Sequence, residues 1–233
     1  MNKVSRKTFV RQATGGLVAL AASGSLADAQ LVYRRSDWKI GDFNRLAQAP
    51  ARVKQVFDIS AIGGGKFLNN IKNSLNGLQF GFGIPAGQIQ IVAALHGPAN
   101  LLNYDDYVWE KYRNGELFDV TDPATGKPAA RNLFHASKAG KNPTSHDPNE
   151  ENSPYQDTSI QALQARGVKF LSCHTATEEQ ARVLIRRWNF SQAPEEAVKD
   201  MLAHVQPGVL VVASMVAAVA LLQSEGHYSY ITV

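Results

Sequence analysis

Four short apolar runs, each followed by a stretch of helical character, constrain the fold of this chain more than any other feature of its sequence. They are Gln55 to Ile59, Gln88 to Leu95, Val168 to Ser172 closing on Cys173, and Val209 to Ala213. Strands that read as continuous apolar runs are buried on both faces, and crossover helices are what bury them. The pattern therefore predicts a single-domain, layered α/β fold with a mainly parallel sheet flanked by helices. The Gly63-Gly64-Gly65 turn should lead into a helix from about Lys66 to Asn76, with Gly77 just past its end. Gly97-Pro98 should open a helix running to about Arg113, with proline in the first turn, where its missing N–H costs nothing.

Further helices are expected from about Thr158 to Arg166, Glu178 to Trp188, Pro194 to His204 and Met215 to Glu225. Thr177-Glu178-Glu179-Gln180 carries a capping-box pattern for the second of these. The stretch Met215 to Leu222 is apolar on all sides, which implies deep burial or packing against another subunit. The last segment, His227 to Val233, alternates Tyr228, Tyr230 and Thr232 with Ser229, Ile231 and Val233, as suits an edge strand. Residues 30–52 lack a period and read as an N-terminal arm. Residues 53–233 form the α/β domain, interrupted at about 114–157 by a polar insertion rich in Pro, Asn, Asp, Lys and Ser.

The first 29 residues read as an export signal. Ser5-Arg6-Lys7-Thr8-Phe9-Val10-Arg11 resembles a twin-arginine motif with lysine at the second arginine, Gly15 to Leu26 is weakly apolar, and Ala27-Asp28-Ala29 is a small-x-small cleavage site. That apolar stretch is too short to span a bilayer, which takes roughly 20 residues. The expected destination is the periplasm, by the twin-arginine or the general secretory route, with no membrane span after the signal is removed. The whole chain has 24 basic and 20 acidic residues, and the segment after the signal has 20 and 19. The excess of positive charge belongs to the signal and gives no argument for nucleic acid or anionic membrane as partner.

One cysteine in 233 residues excludes a disulfide framework and makes Cys173 conspicuous in an oxidising compartment. It stands at the carboxyl end of a strand, just before a helix, on the ligand-binding edge of an open α/β sheet. Nucleophile, sulfur carrier, ligand and small hydrophobic filler are all open to it. His174 and Thr175 follow at the same strand end. His96 occupies the equivalent point on another strand, where it can hydrogen-bond an anion or the Cys173 sulfur, and Gly97 and Ala99 can offer backbone amides. Gly63-Gly64-Gly65-Lys66 is not a phosphate loop, since Ser60 and Phe67 stand where that loop needs glycine and a hydroxyl residue. His135, His146, Asp147, Glu150 and Glu151 have no metal-ligand spacing, so no metal or other cofactor is expected.

Three segments together resemble the DsrE/DsrF-like family of sulfur-relay proteins: Ile91 to Pro98, Gly167 to Cys173, and Pro207-Gly208-Val209 through Gly226 to Ile231. The resemblance spans residues 53–233 outside the insertion. It implies a compact α/β fold, assembly into trimers or hexamers, and a cysteine, here Cys173, that carries sulfane sulfur as a persulfide. His96, Gly97, His174 and Thr175 would support the bound species. The implied partners are a small sulfur species or a thiol-bearing protein. A non-catalytic module of the same fold, binding a small anion or serving assembly, is the alternative, because fold does not dictate chemistry.

Overall fold

The computed structural model describes residues 38–137 and 144–233; the export-signal reading lies outside the described residues. Five parallel strands form one sheet in the order β6-β5-β2-β1-β7. They are β1 (Val53–Ile59), β2 (Ile89–Leu95), β5 (Lys169–Cys173), β6 (Leu210–Val212) and β7 (Ser229–Thr232). A separate two-residue pair, β3 (Thr121–Asp122) with β4 (Lys127–Pro128), makes a small hairpin. The expected α/β architecture is the observed one, and β7 lies at the sheet edge, beside β1.

Alternation within the strands divides the core. Phe57, Ile59, Ile91, Ala93, Leu95 and Phe170 point to one face, where α2 (Lys66–Asn76) and α5 (Ile160–Ala165) cover them. Val56, Val92, Ala94, Leu171, Cys173 and Val212 point to the other, beneath α1 (Ile40–Ala47) and α8 (Met215–Ser224). The chain adds β2, β5 and β6 stepwise on one side of β1, then returns across the sheet to add β7 on the other. Parallel crossovers are right-handed, so reversing the direction of travel sends the last crossover helix, α8, to the opposite face.

Several local expectations are corrected. The supposed arm contains α1, whose Phe43, Leu46 and Ala47 recur at helical spacing and are buried against the α8 side of the sheet. Gly77 does not stop α2; it stays right-handed and the chain continues in a wider turn to Gly81. The single helix expected from Gly97 is a 3-10 segment, Gly97–Asn103, followed after extended Tyr104 by α3 (Asp106–Lys111). Asp105 causes the break, because its side chain accepts from Val108 N–H as the cap of α3. The chain then forms α4 (Asn114–Leu117).

The polar insertion is stitched into the core. Asn132 is buried and its side chain donates to Leu102 O at 2.8 Å and Tyr104 O at 2.9 Å. Phe118, Val120, Leu133 and Phe134 pack against the core, and Ser137 donates to Asp157 at 2.6 Å. Its few apolar residues are spent on these contacts, which is why composition alone marks the segment only as a polar insertion.

Candidate functional site

The helix expected from Glu178 begins earlier. α6 (His174–Trp188) starts directly after β5, so Cys173 is both the last strand residue and the N-cap of α6. Thr177 is no cap; it is buried in the second turn, where its hydroxyl donates to Cys173 O at 3.0 Å. α7 (Pro194–Ala203) packs against the outer side of α6. α6 is bonded through Thr177 and Gln180 to Asn100, which also holds Ser172, whereas α8 packs on the face that carries Leu171 and Cys173. The helices that follow neighbouring strands β5 and β6 thus leave on opposite sides of the sheet. Such a divergence is the topological switch point where open α/β sheets form their ligand crevice.

The Cys173 side chain sits at that point. Its sulfur accepts the backbone N–H of Met215, the first residue of α8, at 3.3 Å. The positive ends of α6 and α8 both lie beside it. The residue is 5 % exposed, with Leu171, Ala176, Val212 and Met215 in the same apolar cluster.

His96 lies on the same face. The register Leu95↔Ser172 brings His96 and Cys173 to one level at the ends of adjacent strands. Of the two partners open to His96, an anion or the Cys173 sulfur, the sulfur is not bonded. The imidazole turns toward β1, where its Nε2 is 2.8 Å from Asp58 Oδ1. The other carboxylate oxygen, Oδ2, accepts from the Tyr230 hydroxyl at 2.5 Å. His96 and Asp58 side chains are 27 % and 24 % exposed, so this group stays open to solvent beside the buried thiol. The Asp58 carboxylate also holds the Tyr230 phenol above its ordinary range. Gly97 takes a left-handed φ of 49°, and a Cβ there would stand 3.0 Å from Ser60 O, so this turn favours glycine.

Beneath the thiol, on the opposite face, runs a buried polar chain centred on Asn100. Its Oδ1 accepts from Cys173 N–H at 2.8 Å and from the Ser172 hydroxyl at 3.0 Å. Its Nδ2 donates to Tyr104 Oη at 3.1 Å and to Gln180 Oε1 at 3.3 Å, and Gln180 Nε2 passes on to Gly97 O at 2.6 Å. Tyr104 Oη lies 2.6 Å from Thr177 Oγ1. Since that oxygen already accepts from Asn100 and Thr177 donates to Cys173 O, the tyrosine is the donor of the pair. The chain locks the His96-Gly97 turn and the start of α6 in one geometry.

Burial pushes Tyr104 up to about 12 against an ordinary value of 10.0. A raised phenol binds its proton more tightly in the folded state, so this contribution to stability is complete below pH 10 and is lost as pH rises toward 12. Ultraviolet titration of native protein against a Tyr104→Phe variant should show one late-ionising tyrosine missing from the variant. A phenol that ionises near 10 in native protein would contradict the buried assignment.

His174 and Thr175 take different parts. Thr175 donates through its hydroxyl to Ala213 O at 3.0 Å, tying the start of α6 to the end of β6. His174 is buried against the edge of Trp38, with ring centroids 5.3 Å apart, and lies 3.6 Å from Glu178. Burial lowers the His174 pKa, and the Glu178 carboxylate opposes that shift. Among the described residues no group of three His, Cys, Asp or Glu side chains is placed to hold a metal. Asp58, Asn100 and Tyr230 are the site residues that the sequence reading missed; an acidic residue inside the first apolar run was the available signal. Comparison with family models, with curated proteins and with solved structures gives no match.

Proposed function

We propose that this chain is an exported DsrE-like sulfur carrier in which Cys173 accepts sulfane sulfur. One observation carries the reading: the only thiol stands at the topological switch point, beside two helix N-termini, with an amide directed at its sulfur. The thiolate attacks the outer sulfur of a hydropersulfide, R–S–SH. A bond from Cys173 to that sulfur forms, its bond to R–S breaks, and the departing RS⁻ takes up the proton that Cys173 gave up. The product is Cys173–S–SH, and an acceptor thiol removes the outer sulfur by the same exchange. No metal or redox cofactor enters this exchange.

Burial of Cys173 narrows the donor. A thiol this enclosed suits an inorganic polysulfide or a small persulfide better than a persulfide fixed to a folded protein. The periplasm as the place of action and a trimeric or hexameric assembly belong to the same proposal. On the described residues, no helix is long and apolar enough to cross a membrane.

Treating the protein with inorganic polysulfide should add the mass of one sulfur atom at Cys173, reversibly by dithiothreitol. Cys173→Ser should gain nothing. Intact-mass and peptide mapping read this out, and an unmodified Cys173 after treatment would sink the carrier reading. The apolar surroundings of the sulfur favour a second reading, a module of the same fold in which Cys173 only caps and fills. On that reading polysulfide leaves Cys173 unchanged and Cys173→Ala costs stability alone.

A further inference from the structure

We infer that Asp58, His96 and Tyr230 form an acid–base unit serving the Cys173 edge, with Asp58 and Tyr230 as positioning residues. The argument starts from connectivity. Three strands contribute one residue each: Asp58 from β1, His96 from the end of β2 and Tyr230 from β7. The carboxylate is shared, with His96 Nε2 at 2.8 Å on Oδ1 and the Tyr230 hydroxyl at 2.5 Å on Oδ2. A carboxylate only accepts, so Nε2 must carry a proton to bond it. That fixes the neutral imidazole in its Nε2–H form and leaves the lone pair on Nδ1, which makes no hydrogen bond among the described residues. Tyr230 occupies the second oxygen and keeps the carboxylate from turning away. A histidine oriented by a carboxylate and still open to solvent is the arrangement a general base requires.

The destination of the proton rests on the sulfur-carrier reading. Because no hydrogen bond joins His96 to the sulfur, His96 Nδ1 takes the proton of the Cys173 thiol through one intervening solvent molecule. The thiolate attacks the outer sulfur of the donor, and the imidazolium returns the proton to the departing RS⁻. Each step leaves charge balanced at the edge, and the donor class follows. The leaving group must need a proton, as hydrosulfide, polysulfide and alkyl thiolates do.

The test uses full-length protein labelled with nitrogen-15 histidine, with the His96 signals identified by their loss in His96→Asn. Two-bond proton–nitrogen correlations should show His96 as the Nε2–H tautomer. In Asp58→Asn that pattern should weaken or invert, and the rate of sulfur gain from sodium tetrasulfide should fall about 100-fold, within the usual range for acid–base groups. Tyr230→Phe, at a half-exposed edge position, should retain the fold and show a smaller loss of both. Imidazole added to His96→Gly should restore part of the rate, which no purely structural role would allow. An Nδ1–H or rapidly averaging His96 in the native protein would overturn the unit, as would an Asp58→Asn protein that reacts at the native rate. A native protein that gains no sulfur overturns the carrier reading and the proton's destination, while the tautomer pattern still decides the unit itself.

Discussion

Asn100→Ala is expected to lower the folding free energy by about 4 kcal/mol, read as a shift of the urea midpoint at unchanged slope. The side chain is fully buried and both of its polar atoms are used. Removing Oδ1 takes their acceptor from the buried Cys173 amide and Ser172 hydroxyl, at about 1–3 kcal/mol for a group left unsatisfied. Removing Nδ2 takes a donor from Tyr104 and another from Gln180, and the truncation leaves a cavity. These losses share neighbours and will not simply add. Asn100→Asp separates the parts, since it retains the acceptor for Cys173 and Ser172 but loses both donors and buries a charge. A loss below about 1 kcal/mol for Asn100→Ala would mean that the site relaxes to find other partners. The same substitution frees the Cys173 amide, so the start of α6 should exchange its amide hydrogens sooner than the centre of that helix.

The inner strands were legible because burial on both faces leaves each with a run of consecutive apolar residues. β2 reads Ile89–Leu95 and every residue from Ile91 to Leu95 is buried. The same property makes Asp58 stand out within β1, where it is the one acidic residue. What it contacts was not legible. His96 lies 38 positions away and Tyr230 lies 172 away, and only the register of three parallel strands brings them together. Register follows from packing and crossover handedness, neither of which a single sequence displays.

The start of α6 failed for a different reason. Strand and helix abut with no loop, so the apolar run of β5 ends on the residue before the first turn. Thr177 with Gln180 imitates a capping box, yet Thr177 bonds back to Cys173 O one turn earlier and accepts from Asn100, while Gln180 is spent on Asn100 and Gly97. A capping pattern reports side chains able to bond nearby backbone, and here more distant groups claim them. The position of Cys173 at a strand end, facing a helix start, was visible beforehand; its burial and its bond to Met215 depend on where α8 packs.

Gly115→Ala is expected to destabilise the fold by about 3 kcal/mol or more, although it adds a single methyl group. A Cβ at this position would stand 2.3 Å from both the amide nitrogen and the carbonyl oxygen of Ala129. Those are backbone atoms and cannot swing aside as a flexible side-chain end would. Ala129 is itself held, because its N–H donates to Val120 O at 2.7 Å, and Val120 N–H donates in turn to Gly115 O at 2.9 Å. Relieving the clash therefore breaks this clasp or pushes buried Ala129 into the core beside Trp109. Gly77→Ala is the matched control. Gly77 is right-handed, with open space around its Cβ position, so alanine there should stabilise by about 0.5–1 kcal/mol through lower chain entropy in the unfolded state. Opposite signs for one chemical change would place the origin of the effect in Ala129 rather than in glycine itself. A neutral Gly115→Ala would instead mean that residues 114–129 separate from the core at little cost, as a detached insertion would.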